Sequence, residues 1–137
     1  YHKEIAGKQT VNFNISHSGE FILEGFAVGM DIGVDVQEMA GCPDYREIAG
    51  NFYTAEEAED VINEGPELFF QYWAAKEAYV KAIGIGLGRG MDFFSVRNGE
   101  ITEKGRKGQG WHLYPVKIEG YAAYVAAHKK GDKSNEL

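Results

Sequence analysis

Apolar and polar positions alternate near the start of the chain. Residues 11–15 alternate strictly between apolar and polar side chains, which predicts a half-buried strand. The polar residues 16–19 are typical of a turn, and a second strand is predicted over residues 21–28. We expect residues 29–31 to return this second strand as a hairpin.

A third alternating segment, residues 32–37, predicts another strand with two different faces. One face is apolar and the other is polar or lacks a side chain. The apolar face comprises Ile32, Val34 and Val36, and the other comprises Gly33, Asp35 and Gln37.

Two helices are predicted in the middle of the chain. Thr54, with Glu57 three residues later, forms a capping box, which marks a helix N-terminus. This helix should end at Gly65, and a longer one is predicted from about residue 67 to residue 83, ended by Gly84.

The last part of the chain is predicted to form antiparallel strands. Residues 93–96 and 100–102 flank Asn98 and Gly99, a strong hairpin signal. Two further strands are predicted over residues 111–118 and 121–127. Antiparallel strands packed on one central helix make an α+β fold, with residues 1–137 as a single domain.

The long helix carries charges where its pattern calls for apolar residues. Residues 68–83 are apolar or aromatic almost all the way round, yet Lys76, Glu77 and Lys81 lie among them. One interpretation is a surface salt bridge between Glu77 and Lys81, worth roughly 0.2–0.5 kcal/mol, with Lys76 extended to water. The other is that these charges bind a ligand, because a helix this apolar is normally buried.

Asp35 and residues 16–19 are further candidates for chemistry. Asp35 lies between valines, where aspartate is disfavoured, and Gly33 leaves room for a ligand. With Gln37 beside it, Asp35 suits a hard cation such as Mg²⁺, although a strand-end aspartate bonded to a loop fits equally well. Ser16 and His17 suit phosphate binding, although a lone histidine in a turn is more often structural.

Composition and charge argue against several functional classes. The formal net charge is -7, from 21 acidic and 14 basic residues, which argues against broad binding of nucleic acid or anionic membranes. The single cysteine, Cys42, cannot form an internal disulfide. The chain contains no long apolar run, so we expect a cytoplasmic protein without a membrane span.

Three motifs, in order, resemble the Sfp-type phosphopantetheinyl transferases. Residues 13–19 read FNISHSG, residues 32–36 read IGVDV and residues 73–81 read WAAKEAYVK. The family patterns are F-N-x-S-H-S, G-[IV]-D and W-x-x-K-E-[AS]-x-x-K, and the last is highly specific. The resemblance implies the 4'-phosphopantetheinyl transferase fold, an antiparallel sheet packed on a long central helix.

The resemblance also implies a reaction and a set of site residues. The expected activity is that of a holo-[acyl-carrier-protein] synthase. It transfers 4'-phosphopantetheine from coenzyme A to a serine of an apo acyl or peptidyl carrier protein and releases 3',5'-ADP. Asp35 and Glu77 match the family's Mg²⁺ ligands, and Glu77, or a water it orients, is the expected base. Ser16 and His17 match residues that contact the 3'-phosphate of coenzyme A.

The resemblance also implies roles for the two lysines of the long helix. Lys76 and Lys81 match residues that face the phosphates and would neutralise charge building on the leaving group. Gln37 departs from the family pattern, because some members place a glutamate there as a third metal ligand. Its amide oxygen could still bind the metal but brings no negative charge.

Length is the larger departure from the family. Typical members have two similar halves with coenzyme A in the cleft between them. Residues 1–19 resemble the end of the first half and residues 20–137 the second half, so this chain corresponds to one half of a pseudo-dimer. We expect part of a longer enzyme, with a separate first-half chain or self-association as the alternatives.

Two other functions fit the same residues. One is a catalytically inactive module of this fold that binds coenzyme A or a carrier protein, which Gln37 and the missing half favour. The other, more distant, is a different Mg²⁺-dependent phosphoryl-transfer enzyme.

Overall fold

A computed structural model describes residues 2–5, 9–85 and 90–129 of the 137-residue chain. This part contains three helices and eight strands, together with a short 3-10 helix at Arg97–Gly99. The helices are α1 (Tyr45–Phe52), α2 (Ala55–Glu64) and α3 (Pro66–Ile83). The strands are β1 (His2–Ile5), β2 (Gln9–Ser18), β3 (Phe21–Val28), β4 (Met30–Glu38), β5 (Thr102–Glu103), β6 (Arg106–Lys107), β7 (Trp111–Pro115) and β8 (Tyr121–Lys129).

The strands form two three-stranded antiparallel sheets, ordered β1-β2-β3 and β4-β8-β7, and a small β5-β6 hairpin. Helix α3 packs on the second sheet, against β4 and β8. The predicted α+β class is therefore confirmed. No helix among the described residues is both long and apolar enough to cross a membrane.

The predicted hairpin at residues 29–31 is wrong, because β3 and β4 belong to different sheets. Only Gly29 separates the two strands, and β4 pairs instead with β8, from Met30 opposite Lys129 to Glu38 opposite Tyr121. Buried alanines line β8 and leave room for the valines of β4. The pairing of β4 thus depends on a segment almost a hundred residues away.

The predicted turn at residues 16–19 is also displaced. Strand β2 continues to Ser18, and the chain turns at Gly19 and Glu20. Gly19 has a φ of 54°, which a residue without Cβ adopts at little cost. Ser16 and His17 consequently lie within a strand and point to opposite faces of it.

Both predicted helices form with the predicted ends. At α2, Thr54 and Glu57 complete the capping box, and α3 ends at Gly84 in the left-handed conformation. Helix α1 was not predicted. It has only eight residues and buries just Tyr45 and Ala49, too short an apolar pattern to indicate a helix.

The predicted C-terminal strands are present but shorter. Asn98 and Gly99 both have positive φ, as a two-residue hairpin turn requires, but the flanking segments pair only between Ser95 and Thr102. Strand β7 ends at Pro115, three residues earlier than predicted, and pairs with β8.

Gly33 sets the distance between α3 and β4. A Cβ placed on Gly33 would lie 2.0 Å from the carbonyl oxygen of Ala78 and 2.6 Å from the amide nitrogen of Ala82. The helix backbone therefore fills the space that the sequence suggested for a ligand. This close approach brings the C-terminal half of α3 beside the residues that follow Gly33.

Replacing Gly33 with alanine should therefore force α3 away from β4. The atoms in the way belong to the helix backbone and cannot rotate aside, so we expect a loss of about 1–3 kcal/mol in the free energy of unfolding, or more. Urea denaturation of the wild type and the variant measures this loss.

Gly25→Ala is the matched control. Its Cβ would meet side-chain atoms and not the helix backbone, namely Cγ1 of Val34 at 2.7 Å and Cδ1 of Ile32 at 2.9 Å, so we expect a smaller loss than for Gly33→Ala. Equal losses in the two variants would contradict the assignment of Gly33 to the helix contact.

Among the described residues, one face of the first sheet is largely exposed. Side chains opposite each other in the β2–β3 register share a face, and Phe13 and Phe26 meet there with ring centroids 5.8 Å apart. Several apolar neighbours on this face are largely exposed: Ile15 (47%), Ile22 (70%), Phe26 (66%) and Val28 (54%). We refer to these residues and Phe13 as the open face.

Candidate active site

Asp35 occupies the middle of β4 and is almost completely buried, with 5% of its surface exposed. The Ser16 hydroxyl donates to Oδ1 at 3.3 Å, and Nε2 of Gln37 donates to Oδ2 at 2.7 Å. The pKa of Asp35 is raised to about 7, chiefly by burial. The hydrogen bond from Gln37 opposes this rise and the charge of Glu77 adds to it. Asp35 is thus a poorly solvated acid with another carboxylate nearby.

Glu77 supplies that second carboxylate from α3. It is half-buried, and burial raises its pKa while the charge of Lys81 lowers it. The contact at Gly33 explains why it lies beside Asp35, since Ala78, the next residue of α3, touches β4 there. The structure therefore brings Asp35 and Glu77 together from distant parts of the sequence.

Lys81 lies in the same place, one helical turn after Glu77. Its Nζ donates to the carbonyl oxygens of Ile15 and Val34, each at 2.8 Å. Burial lowers the pKa of Lys81, and the charges of Asp35 and Glu77 raise it. Lys81 therefore joins β2 to β4 and places a cation beside both acids.

Lys76 is held apart from these residues. It is fully buried, so it does not extend to water, and its Nζ lies 2.8 Å from Oε1 of Glu57. The ammonium also donates to the carbonyl oxygens of Met91 and Phe94 and lies over the Phe94 ring. The contact with phosphate implied for Lys76 stays a prediction, whereas these contacts give it a structural role.

Ser16 and His17 are separated by the alternation of β2. Ser16 is buried against β4, whereas His17 is exposed on the opposite side, across from Ile22 of β3. The phosphate contacts implied for the pair stay predictions. Side chains that point to opposite faces cannot grip one phosphate together from within a regular strand.

The donor set beside Asp35 fits a hard divalent cation. Within residues 9–85 and 90–129, no group of three or more His, Cys, Asp and Glu side chains could enclose a metal. Mg²⁺ does not need such a cage, because it usually takes one or two carboxylates and keeps waters or substrate phosphates as its other ligands. Asp35 and Glu77 would supply the carboxylates, while Gln37 directs its amide nitrogen at Asp35.

One apolar hollow borders Gln37 and a second adjoins the first, and neither is lined by Asp35 or Glu77. One, of about 200 Å³, is lined by Gln37 and residues of α1 and α3, including Phe70. The other, of about 510 Å³, shares Phe70 and includes Cys42 and Tyr45.

Several contributing residues were missed from the sequence. Asn14 and Ser18 bond to β4 on either side of Ser16, and Glu57 pairs with Lys76. The polar residues at every second position of β2 could have indicated the first two. Nothing in the sequence indicated the partner of Lys76, because the capping box already accounted for Glu57.

The pKa of Asp35 predicts a dependence of stability on pH. The value of about 7 in the folded protein lies above the ordinary 3.8, so between these values the folded state binds more protons than the unfolded state. The free energy of unfolding should therefore fall as the pH rises from about 4 to about 7, by a few kcal/mol in order of magnitude.

Urea denaturation at several pH values, without divalent cations, should show this fall in the wild type. The Asp35→Asn variant should not show this fall. Near pH 8 its free energy of unfolding should therefore exceed that of the wild type. Parallel curves for the two proteins would contradict the raised pKa.

Comparison with known proteins gives a consistent picture. A profile described as the 4'-phosphopantetheinyl transferase superfamily matches residues 31–127. The 4'-phosphopantetheinyl transferase Sfp of Bacillus subtilis (strain 168) is 36% identical, over 63% of this chain and 39% of that protein. The human L-aminoadipate-semialdehyde dehydrogenase-phosphopantetheinyl transferase is 31% identical, over 90% of this chain and 47% of that protein.

A solved structure shares the fold. It is a holo-(acyl-carrier-protein) synthase from Bacillus anthracis str. Ames in complex with CoA (3',5'-ADP). It superposes with a TM-score of 0.52 over 74% of this chain and 96% of that chain, at 21% identity. The present chain spans about a third to a half of the length of the curated relatives it matches. From its fold and the matched region, the chain belongs to the 4'-phosphopantetheinyl transferase superfamily.

Proposed function

We propose that this chain carries the catalytic acids of a Mg²⁺-dependent transfer of 4'-phosphopantetheine from coenzyme A to a serine of an apo acyl or peptidyl carrier protein. The observation that carries the proposal is the convergence of Asp35 on β4 and Glu77 on α3, with Lys81 beside both. Family membership supports the reaction class.

In this proposal Asp35 and Glu77 hold the metal. When bound, Mg²⁺ would act as a Lewis acid and neutralise charge on the pyrophosphate of coenzyme A. The other steps fall to the protein. Glu77 accepts the proton of the carrier serine, directly or through a water.

The bonds that change are those of a simple displacement at phosphorus. The serine oxygen forms a bond to the β-phosphorus of coenzyme A, and the bond from that phosphorus to the oxygen bridging the two phosphates breaks. 3',5'-ADP leaves with that oxygen and its electron pair. Lys81, whose cation lies beside both acids, would stabilise the developing negative charge.

An inactive binding module of the same fold is the second candidate. The observation that favours it is the position of Gln37, whose neutral amide donates to Asp35 in place of a third acid. With two carboxylates instead of three, metal binding would be weaker.

Direct assay of transfer tests the proposal. The protein is incubated with coenzyme A, Mg²⁺ and several apo carrier proteins, and intact-mass spectrometry reports a phosphopantetheine adduct on the carrier serine. Light scattering on the same sample shows whether the active species is one chain or an assembly, since we also propose that a further half or a second copy completes the cleft. Binding of coenzyme A without an adduct on any carrier would favour the inactive module.

A further inference from the structure

Strand β2 is joined to β4 by side chains. In the second sheet β8 pairs with one edge of β4, and the other edge offers the N–H groups of alternate residues. Three side chains of β2 accept these bonds, at 2.8–3.0 Å. The pairs are Asn14 with Val34, Ser16 with Val36, and Ser18 with Glu38.

Ser16 differs from the other two because it also contacts a candidate metal ligand. Its Oγ accepts from the N–H of Val36 at 3.0 Å and donates its only proton to Oδ1 of Asp35 at 3.3 Å. A phosphate oxygen can only accept from a hydroxyl, so a serine whose proton is already donated has none to offer a nucleotide. The side chain is also buried against β4.

The same stretch of β2 also fixes the cation of the site. Lys81 donates to the carbonyl of Ile15, the residue before Ser16, and to that of Val34, the residue before Asp35. Ile15 and Ser16, neighbours on β2, therefore contact Lys81 and Asp35 respectively.

We propose that Ser16 is a positioning residue that holds the carboxylate of Asp35 in the orientation required to bind the divalent cation, and that it does not bind the 3'-phosphate of coenzyme A. The inference rests on the proposed function in one respect, the role of Asp35 as a metal ligand. The proposal predicts that removing the Ser16 hydroxyl lowers the affinity for the divalent cation. The family resemblance predicts instead that it lowers the affinity for coenzyme A.

The first test measures the metal alone. Mn²⁺ replaces Mg²⁺, and electron paramagnetic resonance reports free Mn²⁺ as it is titrated into the protein without coenzyme A. Ser16→Ala should weaken binding by about 10–100-fold, as is usual when a group orienting a metal ligand is lost. Ser16→Thr keeps the hydroxyl and should retain most of the affinity.

Ser18→Ala is the matched control. It removes a hydrogen bond to β4 of the same kind, 2.8 Å long, two residues along the same face. It should cost similar stability in urea but leave Mn²⁺ affinity unchanged. Equal weakening in both serine variants would overturn the specific role of Ser16, as would wild-type affinity in Ser16→Ala.

The second test compares transfer from coenzyme A with transfer from 3'-dephospho-coenzyme A. If Ser16 acts through Asp35, Ser16→Ala loses the same factor with both substrates. A defect that disappears with the dephosphorylated substrate would identify a phosphate contact and overturn the proposal.

The two proposals fail in distinguishable ways. A wild type that binds Mn²⁺, with affinity lost in both Asp35→Asn and Ser16→Ala, but that transfers nothing to any carrier would overturn the proposed function alone. A wild type that binds no Mn²⁺ would overturn the metal role of Asp35, and with it the role of Ser16.

Discussion

Replacing Asp35 with asparagine is expected to lower the rate of phosphopantetheine transfer by at least about 10²–10³-fold, because a catalytic metal contributes several kcal/mol to transition-state stabilisation. The shape of the side chain is kept, so the fold should survive. Glu77→Gln should cause a similar loss, since it removes both a metal ligand and the expected base. Initial rates at saturating coenzyme A and carrier protein, with the circular dichroism of each variant, measure both effects.

Glu38→Gln supplies the control for these substitutions. Glu38 also lies on β4, but it is exposed at the end of the strand, so neutralising it should leave transfer nearly unchanged. The alanine variants of Asp35 and Glu77 should be inactive as well. Wild-type turnover in a folded Asp35 or Glu77 variant would remove the basis of the proposed metal site.

Replacing Lys76 with methionine is expected to destabilise the protein by about 3–5 kcal/mol, because it leaves the carboxylate of Glu57 buried without its partner. Both side chains of this ion pair are fully buried, with Nζ and Oε1 2.8 Å apart. Glu57 also accepts from the N–H groups of Thr54 and Val96. The pair therefore joins α2 and α3 to the segment that follows residue 90, and urea denaturation measures its loss.

Two further variants make this test specific. Adding Glu57→Gln to Lys76→Met removes the unpaired charge, so the double variant should be more stable than the sum of the single effects indicates. The exposed pair of Lys107 and Glu100, 3.5 Å apart, is the comparison, and Lys107→Met should change stability by no more than about 0.5 kcal/mol. The opposite result would be a Lys76→Met protein that is as stable as the wild type but has a raised KM for coenzyme A. It would support a contact between Lys76 and the phosphates of coenzyme A.

The charges on α3 show how far sequence reasoning reaches. The apolar pattern left two interpretations of Lys76, Glu77 and Lys81 open, surface charges or ligand-binding ones, and the structure excludes the extension of Lys76 to water, because its side chain is fully buried. The contacts that these charged side chains make could not be predicted from the sequence. Residues four apart on one helix can be expected to meet, whereas the pairing of Lys76 with Glu57 depends on how two helices pack.

For the strands, too, local features could be predicted from the sequence and long-range pairing could not. Alternation placed Asp35 and Gln37 on one face of β4, and this local inference agrees with their hydrogen bond. Local reasoning failed at the connections, because the partner of β4 is β8, at the other end of the described chain. It also failed at Gly33, where an absent side chain was interpreted as space for a ligand while the backbone of α3 fills it.

The open face of the first sheet has a practical consequence. A preparation of the 137-residue chain by itself exposes Ile22 and Phe26 to water beside other apolar side chains, and contiguous patches of this kind favour aggregation. Sulfate strengthens apolar association, so ammonium sulfate should precipitate such a preparation early. Replacing these two residues with threonine and lysine would improve its solubility without touching either acid.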